Sequence, residues 1–184
     1  MAPAPPSAPS PWILRFAPLV PPGAPVLDLA AGSGRHTRLF LGRGHLVTAL
    51  DRDVTRLDAL RAPPALEIVQ ADLEGGSPWP LAERRFGAVV VANYLWRPLL
   101  RHIVAAVDAA GVLLYETFAL GNEAYGPPRD PDFLLRPGEL LDAVRGELQI
   151  VAYEHGFDAH PRPAVRQRIC ARRSDRPAAL GRAS

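Results

Sequence analysis

The chain has one cysteine, no lysine and no long apolar run. The lone Cys170 excludes an internal disulfide, a feature typical of proteins in a reducing compartment. No stretch is both long and apolar enough to cross a bilayer, and the Pro- and Ala-rich start lacks the apolar region of a signal peptide. We therefore expect a cytoplasmic protein without a membrane segment.

The charge of the chain is nearly balanced. All 21 basic residues are arginines and 19 residues are acidic, so the formal net charge is +2. Arginines are dense only near the C-terminus, between 166 and 176, which favours a solvated basic tail over a nucleic-acid surface. A length of 184 residues suits one domain. We predict a disordered tail over 1–9, a single domain over 10–173 and a flexible tail over 174–184.

Short apolar runs alternate with helical patterns along the chain. Strands are predicted over 26–30, 46–50, 66–69, 86–92, 112–118, 148–153 and 165–171. Helices are predicted from 11, capped by Ser10, and over 35–43, 53–61, 99–110 and 138–145. This alternation predicts an α/β fold of the Rossmann-like, doubly wound type, a three-layer αβα sandwich. The irregular segment 119–137 is long enough to suggest a functional loop or a lid.

A glycine-rich turn follows the first predicted strand. It reads Asp28-Leu-Ala-Ala-Gly32-Ser-Gly34, and such a turn lets backbone N–H groups meet a negatively charged ligand. The ligand group is pyrophosphate for a dinucleotide and a carboxylate for S-adenosylmethionine. A dinucleotide fingerprint requires a third glycine where Thr37 stands. Asp28 suits the cationic amino group of the methyl donor, which it can meet directly or through water.

Carboxylates also end the next two predicted strands. Asp51 stands where a carboxylate can accept hydrogen bonds from both ribose hydroxyls. Asp72 stands at the same edge, where it can accept from an adenine amino group while the Leu73 backbone meets the ring nitrogen. Three successive acidic strand ends beside a glycine-rich turn favour a nucleoside-containing ligand.

With these motifs the chain resembles the class I S-adenosylmethionine-dependent methyltransferases. The matching segments are 26–35, 47–51, 70–73 and 86–93. The resemblance implies seven strands in a mostly parallel sheet with an antiparallel last strand, and S-adenosyl-L-methionine as the methyl donor. The donor-binding residues it implies, together with those above, are Asp28, Ala30, Gly32, Gly34, Arg35, Asp51, Arg52, Asp72, Leu73 and Asn93.

The acceptor side of the predicted site carries weaker signals. Segment 133–141 resembles the small tellurite-resistance type of methyltransferase, whose last loop carries a Glu followed by a His-Arg pair. Here that pair becomes His160 and Arg162, separated by an inserted proline. Tyr94 is predicted to face the acceptor, and Glu116 is predicted to be a base. Solvated loop residues are the alternative for His160 and Arg162, and a structural hydrogen bond is the alternative for Glu116.

The sequence thus predicts a methyltransferase acting on a small molecule through a soft S, Se or Te atom, or through O or N. Two alternatives remain open: methylation of RNA or protein, and a non-catalytic scaffold that binds the methyl donor. A dehydrogenase is disfavoured by Thr37. The histidines are not spaced as metal ligands, so no metal site is predicted. Trp12 and Phe16 on the first helix suggest either an interface or packing over the site, and both a monomer and a homodimer are open.

Overall fold

Seven strands and four α-helices form the described part of the chain. A computed structural model describes residues 8–57, 60, 64–160 and 162–174. The strands are β1 (Val26–Leu29), β2 (Val47–Asp51), β3 (Leu66–Gln70), β4 (Phe86–Ala92), β5 (Val107–Phe118), β6 (Gln149–Asp158) and β7 (Ala164–Arg172). The helices are α1 (Pro11–Phe16), α2 (Arg35–Leu41), α3 (Leu100–Ala105) and α4 (Glu139–Val144). The predicted tails lie outside the described residues, apart from 8, 9 and 174.

The strands form one sheet in the order β3-β2-β1-β4-β5-β7-β6. The first five are parallel, whereas β7 is antiparallel to both β5 and β6. The mostly parallel, seven-stranded Rossmann-like sheet predicted from the sequence is therefore confirmed. The carboxyl ends of the parallel strands share one edge, and the chain leaves β1 and β4 in opposite directions there.

Alternate strand residues pack on opposite faces of the sheet. Val26 and Val90 join one core with Trp12 of α1 and Phe40 of α2. On the other face, residues such as Leu27 pack with side chains of α3 and α4. This alternation of buried positions produces the three predicted layers. No helix in the described residues is long and apolar enough to span a membrane.

Two predicted helices differ from the structure. Within 53–61, residues 55–57 form a turn in which Asp53 Oδ1 accepts from the Thr55 N–H and hydroxyl, a local bond that competes with helix formation. Asp58, Ala59 and Arg61 lie outside the described residues. The helix predicted over 99–110 ends at Ala105, and 107–111 instead begin β5 with an irregular register.

Strand β6 is longer than predicted, running to Asp158 instead of 153. The cross-strand partner of Glu154 is Arg168 of β7. The charged segment expected in a loop therefore belongs to the sheet, and its side chains are presented at fixed spacing beside those of β7.

Candidate active site

The carboxyl edge of the sheet has a crevice between β1 and β4, where the chain reverses its direction of travel across the sheet. Ligands in open α/β sheets bind at such a point. The residue directly after each strand is left-handed: Ala30 has φ 55° and Asn93 has φ 57°. Non-glycine residues rarely adopt this conformation, although Ala82 before β4 and Ala110 near the start of β5 adopt it as well. The position of the crevice at the strand reversal therefore makes it the candidate site, and the two left-handed residues turn the chain away from the strands there.

The two glycines of the turn after β1 serve different needs. Gly32 has φ 56° and no atom lies within 4 Å of the place a Cβ would occupy. Glycine is therefore favoured at this position by the left-handed backbone and not by lack of space. At Gly34, with φ 73°, a Cβ would lie 2.7 Å from Leu57 Cδ2. Gly34 therefore also permits close packing between the start of α2 and the segment after β2.

Asp28 is a buried carboxylate that fastens α2 to β1. It is 1% exposed, and its Oδ2 accepts a hydrogen bond of 2.6 Å from the Thr37 hydroxyl. Burial raises the pKa of Asp28 to about 6, although hydrogen bonds from Thr37 act in the opposite direction. The residue that breaks the dinucleotide fingerprint is thus the partner of Asp28. A contact between Asp28 and the donor amino group stays a prediction, because Asp28 lies below the surface of the site.

Asp51 at the end of β2 braces the glycine turn. Its Oδ2 accepts from the Gly32 N–H at 2.8 Å, and its Oδ1 accepts from the Asp53 N–H at 3.0 Å. A carboxylate has about four acceptor positions, so both oxygens retain capacity for further donors. Asp51 therefore has the geometry to hold a diol while it orders the turn beside it.

A cavity of about 340 Å³ lies beside the ends of β1, β2 and β3. We call it the donor cavity, after the predicted donor-binding residues that line it. The predicted donor-binding residues in its lining are Ala30, Asp51, Arg52, Asp72 and Leu73. Ala71, Glu74, Tyr94 and Phe133 also line it. The structure thus brings together residues from three strand ends that are separated in the sequence.

Tyr94 lies in the donor cavity and not beside the other predicted catalytic residues. Burial and then the neighbouring Glu74 carboxylate, to which it is hydrogen-bonded, raise the pKa of its hydroxyl above the usual value. The hydroxyl is therefore a donor at neutral pH and is unsuited to act as a base. Its backbone carbonyl accepts from the Tyr115 hydroxyl at 2.9 Å, which holds the segment after β4 in place.

Arg97 fixes the segment that carries Phe133 into the donor cavity. Its Nε lies 2.7 Å from Glu139 Oε1, and a second nitrogen lies 3.0 Å from Oε2. The same guanidinium donates to the carbonyls of Asp132 and Leu134, at 2.6 and 2.7 Å, one on each side of Phe133. The sequence analysis missed this arrangement. No local pattern signals an ion pair between residues 42 positions apart.

A second cavity, of about 820 Å³, lies beside the ends of β5, β6 and β7. We call it the acceptor cavity, after the predicted acceptor-side residues Glu116 and His160 that line it. Arg35 and Asn93 line it, as do Glu116 and His160. The predicted catalytic residue Arg162 is exposed and belongs to the lining of neither cavity among the described residues. The predicted donor-binding residues Asp28, Gly32 and Gly34 likewise lie outside both linings.

Arg168 is the centre of a charge network in the acceptor cavity. It contacts Glu116 at 3.2 Å and Glu154 at 3.3 Å, and it also pairs with Asp158. The Glu116 side chain is 6% exposed, yet its Oε1 has no hydrogen-bond partner among the described residues. One carboxylate oxygen is therefore held by Arg168 while the other remains available to a ligand.

The N-terminal segment forms a wall of the acceptor cavity. Trp12 and Phe16 are 4% and 7% exposed, so the suggested interface on these side chains is wrong and they belong to the core. Ser10 donates its N–H to His36 Nε2 at 3.2 Å. Burial, with a smaller effect from Arg35, lowers the pKa of His36 to about 3, so the ring is a neutral acceptor. This bond holds the segment before α1 over the start of α2.

Solved methyltransferases share this fold. TehB from Haemophilus influenzae matches 88% of this chain with a TM-score of 0.71 at 16% identity, and the chain spans 61% of TehB's length. An S-adenosylmethionine-dependent methyltransferase from Mesorhizobium loti matches 86% of this chain and 95% of its own, with a TM-score of 0.67 at 19% identity.

A third structure is the 1,6-didemethyltoxoflavin-N1-methyltransferase of Burkholderia thailandensis with 1,6-didemethyltoxoflavin and S-adenosylhomocysteine bound. It matches 89% of this chain and 76% of its own, with a TM-score of 0.65 at 22% identity. No protein-family model and no curated protein sequence matches the chain. At these identities the likeness establishes the fold: the chain is folded as the S-adenosylmethionine-dependent methyltransferases are, as its motifs predict.

Proposed function

We propose that this chain is an S-adenosylmethionine-dependent methyltransferase acting on a small-molecule acceptor. The observation that carries the proposal is the donor cavity, where Asp51, Asp72 and Leu73 follow successive strands beside the glycine turn. The methyltransferase from Burkholderia thailandensis that shares this fold was solved with S-adenosylhomocysteine bound. In this proposal Asp51 accepts from the ribose hydroxyls, and Asp72 and Leu73 meet the adenine edge.

The remaining donor contacts follow from the same arrangement. Arg35 begins α2 beside the crevice, where its guanidinium suits the methionyl carboxylate. Asn93 directly follows β4 with a left-handed backbone, and it lines the acceptor cavity beside Arg35. Tyr94 and Phe133 supply aromatic surface to the donor cavity. We therefore assign Tyr94 to donor binding and not to catalysis.

The donor supplies an electrophilic methyl group on a sulfonium, and its transfer leaves the neutral thioether S-adenosylhomocysteine. The task of the protein is then to hold the nucleophile in line with that group, and positioning alone contributes about 7–11 kcal/mol in favourable cases. Glu116 Oε1 is the acceptor-side group placed to orient a nucleophile's N–H or O–H and to receive its proton. His160 lines the same cavity and forms part of the acceptor contact surface in this proposal.

Calorimetric titration with S-adenosylhomocysteine, beside NAD as a control, tests the donor site. We expect S-adenosylhomocysteine alone to bind. Asp51→Ala should weaken binding about 10- to 100-fold, because a charge-assisted hydrogen bond contributes about 1.5–3 kcal/mol. Asp108→Ala is the matched control, since Asp108 is an exposed carboxylate at the opposite, amino end of β5.

Each other outcome changes the assignment. Binding of NAD instead would favour a dehydrogenase, and binding of neither ligand would remove the proposed function. Binding of S-adenosylhomocysteine without methylation of any acceptor in a screen of small thiols, amines, selenite, RNA and protein would favour the donor-binding scaffold. Equal affinity in wild type and Asp51→Ala would overturn the ribose contact.

A further inference from the structure

Two arginines of β7 project into the acceptor cavity with different partners. Arg166 and Arg168 lie two positions apart on one face of the strand, and both line the cavity. Arg168 pairs with carboxylates of β5 and β6, as described above. Arg166 donates to one neutral group, Asn93 Oδ1 at 2.7 Å, and no carboxylate of the described residues forms an ion pair with it.

The Arg166 guanidinium is held in a fixed orientation although no carboxylate of the described residues pairs with it directly. Its Cζ lies 4.2 Å from the ring centroid of Phe118, its cross-strand neighbour on β5. The bond to Asn93 Oδ1 sets one edge of the guanidinium plane. Burial lowers the pKa of Arg166, which reflects removal of the charge from water. The planar guanidinium is therefore preorganised at the acceptor cavity as a hydrogen-bond donor, and most of its N–H groups have no acceptor among the described residues.

Arg166 forms no ion pair with the carboxylates that line the acceptor cavity, although Glu116 and Asp158 lie close enough to favour its charged form. Four arginines and three carboxylates line it, and all three carboxylates contact Arg168. Arg15 shares Glu154 at 3.4 Å. Arg35 stands beside the crevice and is assigned above to the donor carboxylate. Of the other three arginines, Arg15 and Arg168 form ion pairs within the described part of the chain and Arg166 does not, so the N–H groups of Arg166 are the ones free to bind a second anion.

The guanidinium of Arg166 lies at the side of the acceptor cavity formed by β7 and Asn93. Its backbone is three strands away from β1 in the sheet, but the guanidinium reaches Asn93 directly after β4, so the anion site borders the crevice between β1 and β4. The cavity of about 820 Å³ is large for a single inorganic oxyanion, and Pro9, Pro11 and Trp12 give one wall an apolar surface. An anionic group attached to an organic body fits this lining.

We infer that the acceptor is an organic anion whose carboxylate, or a similarly planar anionic group, is bound by Arg166. The inference rests on the proposed methyltransferase function and names the substrate class. In the reaction the acceptor's nucleophilic atom forms the new bond to the methyl carbon, the methyl–sulfur bonding pair returns to the donor sulfur, and any proton leaves to Glu116 or water. The anionic group is unchanged and serves to orient the nucleophile toward the crevice.

Titration of the S-adenosylhomocysteine-saturated protein with benzoate and with benzamide tests the anion site. These probes share size and shape and differ in charge. We expect benzoate to bind at least tenfold more tightly than benzamide, and Arg166→Met to remove that preference while benzamide binding stays constant. Arg101→Met is the matched control, because Arg101 is an exposed arginine on α3 outside both cavity linings. Equal binding of the two probes, or an undiminished preference in Arg166→Met, would overturn the inference.

Three further measurements distinguish this inference from other roles of Arg166. If Arg166→Met loses S-adenosylhomocysteine binding but keeps that of 5′-methylthioadenosine, which lacks the amino-acid part, Arg166 belongs to the donor and the inference fails. Selenite binding more tightly than benzoate would contradict an organic anion. Arg166→Lys keeps the charge without the planar donor fork, so a folded Lys variant with a reduced benzoate preference supports the inference even where the Met variant is unstable. If wild type does not bind S-adenosylhomocysteine, the proposed function fails, and the titration on the ligand-free protein still tests Arg166.

Discussion

The donor cavity is lined mainly by residues at the ends of β1, β2 and β3, whereas the charged side chains of β5, β6 and β7 form a large part of the acceptor cavity. In the first, Asp51 and Asp72 act from strand ends whose backbone positions are set by the parallel sheet. In the second, Glu116, Glu154 and Asp158 surround Arg168 from strands paired in the antiparallel part of the sheet. The donor side thus depends on backbone geometry and the acceptor side on a network of ion pairs.

The residues around the donor cavity (the donor half of the site) and those around the acceptor cavity (the acceptor half) should respond differently to the substitution of one side chain. Local backbone features survive the loss of a single side chain, because the sheet continues to position the strand ends. A partly buried charge network does not, because removal of one member leaves charges without partners. Different substitutions should therefore affect the free energy of unfolding, the affinity for the methyl donor and the affinity for the acceptor to different extents.

The largest effect is expected at Arg168. Arg168→Met leaves Glu116 buried without its cation, and we expect the free energy of unfolding to fall by about 2–4 kcal/mol, less than for a fully buried pair because solvent reaches part of the network. Denaturant unfolding measures this change. Affinity for S-adenosylhomocysteine, measured by calorimetry on the folded variant, should stay within about threefold of wild type. A loss of donor binding larger than the loss of stability would show that the two halves are not independent.

A smaller effect of opposite sign is expected at Asp28. Burial raises its pKa from the ordinary value of 3.8 to about 6 in the folded chain, so the native state binds more protons than the unfolded state between these values and stability falls as pH rises through them. Asp28→Asn removes the buried charge but adds an unpaired N–H, so we expect about 1–2 kcal/mol of added stability at pH 8 and no gain near pH 4. Unfolding at both pH values measures it, and Asp108→Asn, at an exposed carboxylate, serves as control. A variant less stable than wild type at pH 8 would contradict the assignment.

The smallest change in stability is expected at Arg97, which connects the segment after β4 to the loop after β5. Arg97→Met should lower global stability by about 1 kcal/mol, because the pair with Glu139 is partly exposed. Hydrogen exchange should accelerate around residues 131–137, and affinity for S-adenosylhomocysteine should fall about three- to tenfold as Phe133 is released. Phe133→Ala in the Arg97→Met background should add little to the loss of affinity. Full additivity of the two effects would indicate that Arg97 does not act through Phe133.

Much of the donor half could be predicted from the sequence because its signals are local. A strand followed by a carboxylate or a glycine turn is visible in consecutive residues, and parallel topology brings those strand ends to one edge. The predictions for Asp51 and Asp72 required only the order of the elements. The role of Thr37 was missed because its partner Asp28 lies one helical turn and one loop away, and a broken fingerprint does not reveal what the replacing residue binds.

The acceptor half could be predicted only in part. Glu116 and His160 do line one cavity, but Tyr94 lies in the other and Arg162 in neither. Strand β6 was predicted too short because its outer half alternates charged residues with Gly156, a pattern that resembles a loop. Its pairing with β7 supplies the hydrogen bonds that the pattern does not suggest.

The sequence by itself determined the order of strands and helices, the glycine turn and the carboxylates at successive strand ends, because each depends on residues that are neighbours in the chain. Only the tertiary structure decided which arginines pair with carboxylates: Arg97 pairs with Glu139 and Arg168 with three carboxylates, whereas Arg166 pairs with no carboxylate among the described residues and donates to Asn93 instead. Ion pairing depends on separations of a few ångströms between residues many positions apart. The interaction energy between two charges weakens with distance and with solvent exposure, and neither quantity can be read from the composition. The uncommitted guanidinium of Arg166 is therefore a property of the fold.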